Sequence, residues 1–117
     1  MFPELSLTGY YLRDIVPDAA LQLDSPEIGR LIEAAGDATV VFGFVEQDAR
    51  HRFYNSAAVI EAGRIRHVHR KVYLPTYGLF DEQRYFAAGH RVQAFATPRL
   101  GRVGVIAPLF IMNNAGL

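Results

Sequence analysis

Cysteine and tryptophan are both missing from this chain of 117 residues. Without cysteine no disulfide can form, and no thiolate is available to bind a metal or attack a substrate. An excess of charge of either sign is missing too, because Lys+Arg 12 and Asp+Glu 12 cancel. That removes the electrostatic case for a nucleic-acid partner or an anionic membrane surface. No apolar run approaches the roughly 18–20 residues that a membrane span needs. The opening MFPELSLTGY has no basic stretch leading into an apolar core, so it does not read as a secretory signal. Repeats, low-complexity segments and linkers are absent as well. These absences describe one domain, or part of one, with the cytoplasm as the simplest location.

Apolar residues are plentiful, at 50% of the chain, which is ample for a core. FPELSLTGYYL reads as the tail of a buried strand running into a loop, with Pro17 closing the segment. Ser25-Pro26-Glu27 is a helix start, Ser25 as N-cap and Pro26 at the first helical position. Ile28, Leu31, Ile32 and Ala35 follow at helical spacing, and Gly36 ends the helix. TVVFGFVEQ (39–47) and FYNSAAVIE (53–61) have the β-branched and aromatic content of strands, joined by the turn DARHR. Ala62-Gly63 turns the chain into RIRHVHRKVYL (64–74), where alternation puts Ile65, His67, His69 and Lys71 on one face. After a loop over 75–90, RVQAFATP (91–98) and GRVGVIAPLFI (101–111) form a hairpin. The expected class is α+β or a sandwich, its five strands biased towards antiparallel hairpins.

Three charged residues stand where core packing alone would not put them. Glu4 sits at the mouth of an apolar segment, Lys71 among Val68, Val72 and Leu74, and Glu82 after Phe80-Asp81. Singly, each has an ordinary explanation: a solvated carboxylate, a strand lysine facing water, the cap of a short turn. Together they are two carboxylates and one ammonium, which on one cleft could move a proton and stabilise a developing negative charge. His67 and His69 have a spacing that zinc sites sometimes use. With no third ligand in register, they read as a paired stripe on the surface. His51 and His90 fall in turns and receive no role. No G-x-S-x-G elbow and no phosphate-binding loop is present.

Phe2-Pro3-Glu4-Leu5-Ser6-Leu7-Thr8-Gly9-Tyr10 resembles the segment of the nitrilase, or carbon–nitrogen hydrolase, superfamily that carries its catalytic glutamate. Arg70-Lys71-Val72-Tyr73-Leu74-Pro75 resembles the segment of the catalytic lysine. Tyr77-Gly78-Leu79-Phe80-Asp81-Glu82, with Arg84-Tyr85-Phe86 and Gly89, is similar to the loop that follows in amidase-like members and in the glutaminase domains of NAD synthetases. Val41-Phe42-Gly43-Phe44 and Tyr54-Asn55-Ser56-Ala57 match the central hairpin of that family. The match runs from residue 2 to about 106, and the tail 107–117 diverges. It implies part of a four-layer α-β-β-α sandwich whose subunits normally pair as a homo-oligomer when complete. The implied reaction is hydrolysis of a non-peptide amide or carbamoyl C–N bond through a thioester on cysteine, with no metal or organic cofactor. On that mapping Glu4 is the general base, Lys71 the oxyanion donor, and Glu82 the second glutamate that orients substrate and lysine.

The departures from the pattern are equally specific. In the family a strand like residues 101–106 leads within a few residues to Cys-Glu-Asp or a close variant. Here the chain reads Ala107-Pro108-Leu109-Phe110, and Pro108 stands near the place of the nucleophile. The strand, helix and half-strand that the family places before residue 2 do not precede it in this sequence. Two functional expectations follow. One is a fragment of a carbon–nitrogen hydrolase, truncated or frame-shifted and inactive as it stands. The other is a non-catalytic descendant that binds an amide-like ligand or a partner subunit.

Overall fold

The near-continuous apolar runs TVVFGFVEQ and FYNSAAVIE, buried on both faces, build the centre of the molecule. Val40–Gln47 (β1) and Phe53–Glu61 (β2) pair antiparallel from Val40 opposite Ile60 to Gln47 opposite Phe53. Asp48 shapes the loop between them, its Oδ1 accepting from the backbone N–H groups of Arg50 and Arg52 at 2.9 Å each. Arg64–Arg70 (β3) adds to the other side of β2, giving the order β1-β2-β3. A second antiparallel sheet contains Ala94–Thr97 (β4), Gly101–Ile106 (β5) and Leu109–Asn113 (β6) in sequence order. The computed structural model describes residues 1–9, 12–76, 82–106 and 109–113, from 106 onward as backbone alone. Tyr10, residues 77–81 and Pro108 of the sequence motifs lie outside these described residues.

Pro26–Ala35 (the second helix, α2, after a single turn α1 at Val16–Ala19) lies on one face of the first sheet. Its Ile28 packs with Phe42, Phe44, Ala58 and Ile60, and Leu31, Ile32 and Ala35 close the cluster. Complete burial of side chains such as Phe44 and Ile60 stabilises by about 1.5–3 kcal/mol each. The opposite face packs on the second sheet through Val41 and Val59 against Val105, with Ala57 and Phe95 beside them. Glu61 joins the two sheets from its buried position, with Oε1 accepting from Thr39 Oγ1 at 2.9 Å and from Arg99 N at 3.3 Å. The arrangement is α-β-β; a fourth layer is not among the described residues. The α+β expectation and the antiparallel hairpins match this arrangement.

Several boundaries differ from expectation, each for a local reason. The opening segment is no strand: residues 4–8 form turns, and Leu5 takes a positive φ of 49° that breaks extension. Pro17, expected to close that segment, instead enters the first turn of α1. Ser25 occupies the N-cap position of α2, yet its hydroxyl makes no capping bond and is buried without a partner. β3 ends at Arg70 rather than 74, and Glu82–Tyr85 (α3) forms one helical turn inside the expected loop. The single strand expected over 101–111 is two, β5 turning back antiparallel into β6.

Ile65 also departs from the shared face. Val59 pairs with His67 but Ile60 with Ile65, so Arg66 is the extra residue of a bulge. One inserted residue inverts the alternation, and Ile65 packs on the helix side with Ile60, while His67 and His69 stay opposite.

Candidate active site

Glu4 is delivered by a turn clamped to the outer edge of β1. Phe2 N donates to Val41 O at 2.8 Å, Leu7 N to Gly43 O at 3.1 Å, and Gly43 N to Ser6 Oγ at 3.0 Å. This clamp satisfies an edge that would otherwise be open. Gly43 makes the approach possible, since a Cβ there would lie 2.4 Å from Leu5 N and 2.9 Å from Pro3 O. Gly43→Ala is therefore expected to displace the turn and cost about 1–3 kcal/mol. The check is a denaturant melt with amide shifts of residues 3–7; a melt within error of the parent and unmoved shifts would contradict it.

Lys71 lies one residue past β3, but its backbone continues the ladder, with N donating to Asn55 O at 2.8 Å and O accepting from Gly89 N at 2.8 Å. Glu82 opens α3, whose backbone is tied to Pro75 O at 3.1 Å. Leu5, Leu12, Val16, Val45, Leu74 and Phe86 form an apolar cluster around these supports. The three sequence candidates meet there. Lys71 Nζ donates to Glu4 Oε1 at 2.8 Å and to Glu82 Oε1 at 2.9 Å. Lys71 is 6% exposed and Glu82 4%, so this is a shielded ion cluster rather than a solvated surface pair.

A fourth residue belongs to the cluster. Asn55 Nδ2 donates to the same Glu4 Oε1 at 2.5 Å. Oε1 thus receives both donors, and Oε2 is left with no hydrogen-bond partner among the described residues. Asn55 was visible in the sequence only as part of the hairpin motif. The signal that could have marked it is an amide side chain alternating with Ala57 and Val59 on an otherwise apolar strand face.

Burial works to lower the pKa of Lys71, but hydrogen bonds and charge from Glu4 and Glu82 outweigh it and hold the value above the usual 10.5. A pKa raised on folding contributes stability that is whole below the unfolded value and is lost as pH rises through the folded one. The Lys71 contribution is thus expected to stay constant up to about pH 10 and to fade above it. Urea midpoints of the parent and Lys71→Met chains against pH measure this; convergence of the two well below pH 10 would contradict it.

One residue out of phase, on the helix side, Arg70 grips Glu46. Its Nη2 donates to Oε1 at 2.6 Å and its Nε to Oε2 at 2.9 Å, while Ser56 Oγ also donates to Oε2 at 2.7 Å. The guanidinium lies 4.1 Å from the ring centre of Tyr54. This network fixes the strand end from which Lys71 projects.

The histidine pair is no surface stripe. His69 is 3% exposed, and His67 stacks on Phe95 with ring centres 4.2 Å apart. Burial lowers the pKa of both, and the neighbouring His67 lowers that of His69 further. The reason is the second sheet, which covers that face. Among the described residues no group of three or more His, Asp or Glu is placed to hold a metal, and no helix is long and apolar enough to cross a membrane.

An α-β-β protein with a buried carboxylate–ammonium–carboxylate cluster is what the fold and site define. The chain belongs to the carbon-nitrogen hydrolase family, whose profile matches residues 1–108. It is 39% identical over 95 residues to the glutamine-dependent NAD(+) synthetase of Acinetobacter baylyi, covering 81% of this chain and 18% of that protein. The Thermotoga maritima enzyme of the same name is 37% identical over 95 residues, covering 79% of this chain and 16% of that one. Among solved structures, the glutamine-dependent NAD+ synthetase of Acinetobacter baumannii superposes with a TM-score of 0.69 at 37% identity, over 90% of this chain and 20% of that one. An N-terminal amidase gives 0.62 at 26% identity, over 80% and 23%. The chain therefore spans about a fifth of the length of these relatives.

Proposed function

We propose that residues 2–106 are the acid–base half of a carbon–nitrogen hydrolase domain, made for a non-peptide amide or carbamoyl group, and that the nucleophile is not supplied by this chain. One observation carries the reading: a single ammonium, Lys71 Nζ, bonded to Glu4 at 2.8 Å and to Glu82 at 2.9 Å in a shielded site. In this reading Glu4 is the general base. Its Oε2 is the oxygen open to a proton, because Lys71 and Asn55 both occupy Oε1. Lys71, held protonated, is the donor to the oxyanion of a tetrahedral intermediate. Glu82 keeps the lysine aimed. A thiolate attacking the carbonyl would expel the amine, which takes its proton from Glu4, and water would then cleave the thioester with Glu4 again as base. The names of the NAD synthetase relatives make the glutamine side-chain amide the first substrate to try. A cytoplasmic protein whose complete form pairs its subunits, with no resident metal or organic cofactor, belongs to the same reading.

Supplying a thiol in the chain tests it. The variant Pro108→Cys is expected to release ammonia from glutamine, and the release should disappear when Glu4→Gln or Lys71→Met is added. No release, or release indifferent to both changes, would remove the assignment. The second reading, a non-catalytic module that binds an amide, is favoured by the completeness of the cluster in a chain with no cysteine. Saturable glutamine binding by the parent chain, abolished by Lys71→Met, distinguishes it.

A further inference from the structure

A pocket of about 320 Å³ lies along the free edge of β3, apart from the Glu4–Lys71–Glu82 cluster. That volume sits at the small end of ligand sites. Its polar wall is Arg70, Arg91, His67, His90 and Gln93, and Leu23 and Val68 give it an apolar patch. Among the described lining residues the one carboxylate, Glu46, is already spoken for: both its oxygens accept from Arg70, and one also from Ser56. Of the five N–H donors of a guanidinium, Arg70 spends two on Glu46, one from Nε and one from Nη2. The rest are held in a fixed plane by that bond and by the Tyr54 ring.

The opposite wall is built rather than loose. Gly89 presses on the strand end so closely that a Cβ would lie 2.3 Å from Arg70 O, and Gly89 N bonds Lys71 O at 2.8 Å. That contact sets His90 and Arg91 over the pocket. Arg91 has no ion pair among the described residues. Two guanidinium groups against one satisfied carboxylate leave the described lining cationic even when both imidazoles are neutral.

We propose that this pocket binds a small organic oxyanion, a carboxylate or a phosphate, between Arg70 and Arg91, with His67, His90 and Gln93 as further donors. Guanidinium geometry suits either group through paired charge-assisted bonds. The proposal does not depend on the hydrolase reading: no hydrogen bond or ion pair described for Glu4 or Lys71 involves a side chain of the pocket, although Arg70 is the chain neighbour of Lys71.

The test titrates the 117-residue chain with inorganic phosphate and, separately, with succinate, following backbone amide signals, with sodium chloride at matched ionic strength as control. Saturable shifts at residues 67, 90, 91 and 93 from either oxyanion, and not from chloride, are expected. Phosphate alone acting would define a phosphate site, and succinate alone a carboxylate site. Arg91→Gln should weaken binding about tenfold, the loss of one charge-assisted contact, and Arg91→Lys less. Arg91 is exposed and has no ion pair among the described residues, so these variants keep the fold; Gln93→Leu, on the same wall, provides a second reading. Shifts no different from chloride, shifts confined to other residues, or an affinity unchanged by Arg91→Gln and Gln93→Leu would overturn the proposal.

Discussion

Replacing Lys71 by methionine is expected to destabilise the fold by about 3–5 kcal/mol, the cost of leaving buried charge without its partner. Methionine fills nearly the same volume, so the loss is electrostatic rather than a cavity. Glu4 and Glu82 each bond the Nζ that is removed, at 2.8 and 2.9 Å, and Lys71 itself is only 6% exposed. Without the ammonium two carboxylates face each other across an apolar thioether. Removing that repulsion should recover much of the loss: Glu82→Gln added to Lys71→Met should cost far less than the sum of the single changes. Urea melts of the parent, the two single variants and the double variant measure the coupling. A Lys71→Met loss below about 1 kcal/mol would reduce the cluster to a solvated surface pair.

The parent chain itself is expected to release no ammonia from glutamine or simple amides above the buffer rate. Loss of a nucleophile from a catalytic unit lowers turnover by a factor on the order of 10⁶. In the proposed reading Glu4 takes a proton and Lys71 steadies an oxyanion, but without a thiol no acyl-enzyme forms, and the hard step is not divided. An ammonia-release assay sensitive to a few turnovers per day separates the cases. Turnover by the parent that vanishes in Lys71→Met would mean that the cluster activates water directly, and the missing cysteine would then not matter.

Much of this was legible before any coordinates. The helix over 26–35 follows from Pro26, the apolar spacing and Gly36, and the β-branched and aromatic runs over 39–47 and 53–61 match β1 and β2 to within one residue. Failures cluster where long-range contacts override local signals. The segment over 2–9 has strand-like composition, yet its bonds go to β1 through turns, and buried Leu5 tolerates a left-handed φ of 49° because the core holds it. His67 and His69 read as a surface stripe because nothing in their own segment announces that Phe95 and the second sheet cover them.

The sequence by itself determined the kinds of group available, their order along the chain and the family to which that order belongs. That these 117 residues hold no cysteine needed no geometry to see. Only the tertiary structure decided that Glu4 and Lys71, 67 positions apart, share a hydrogen bond, and that Asn55, 51 positions from Glu4, completes it. The reason is physical: local periodicity fixes which face of a strand a residue takes, whereas convergence depends on close backbone approaches at Gly43 and Gly89. A bulge at Arg66, invisible in composition, decides which residues of β3 share a face with that site.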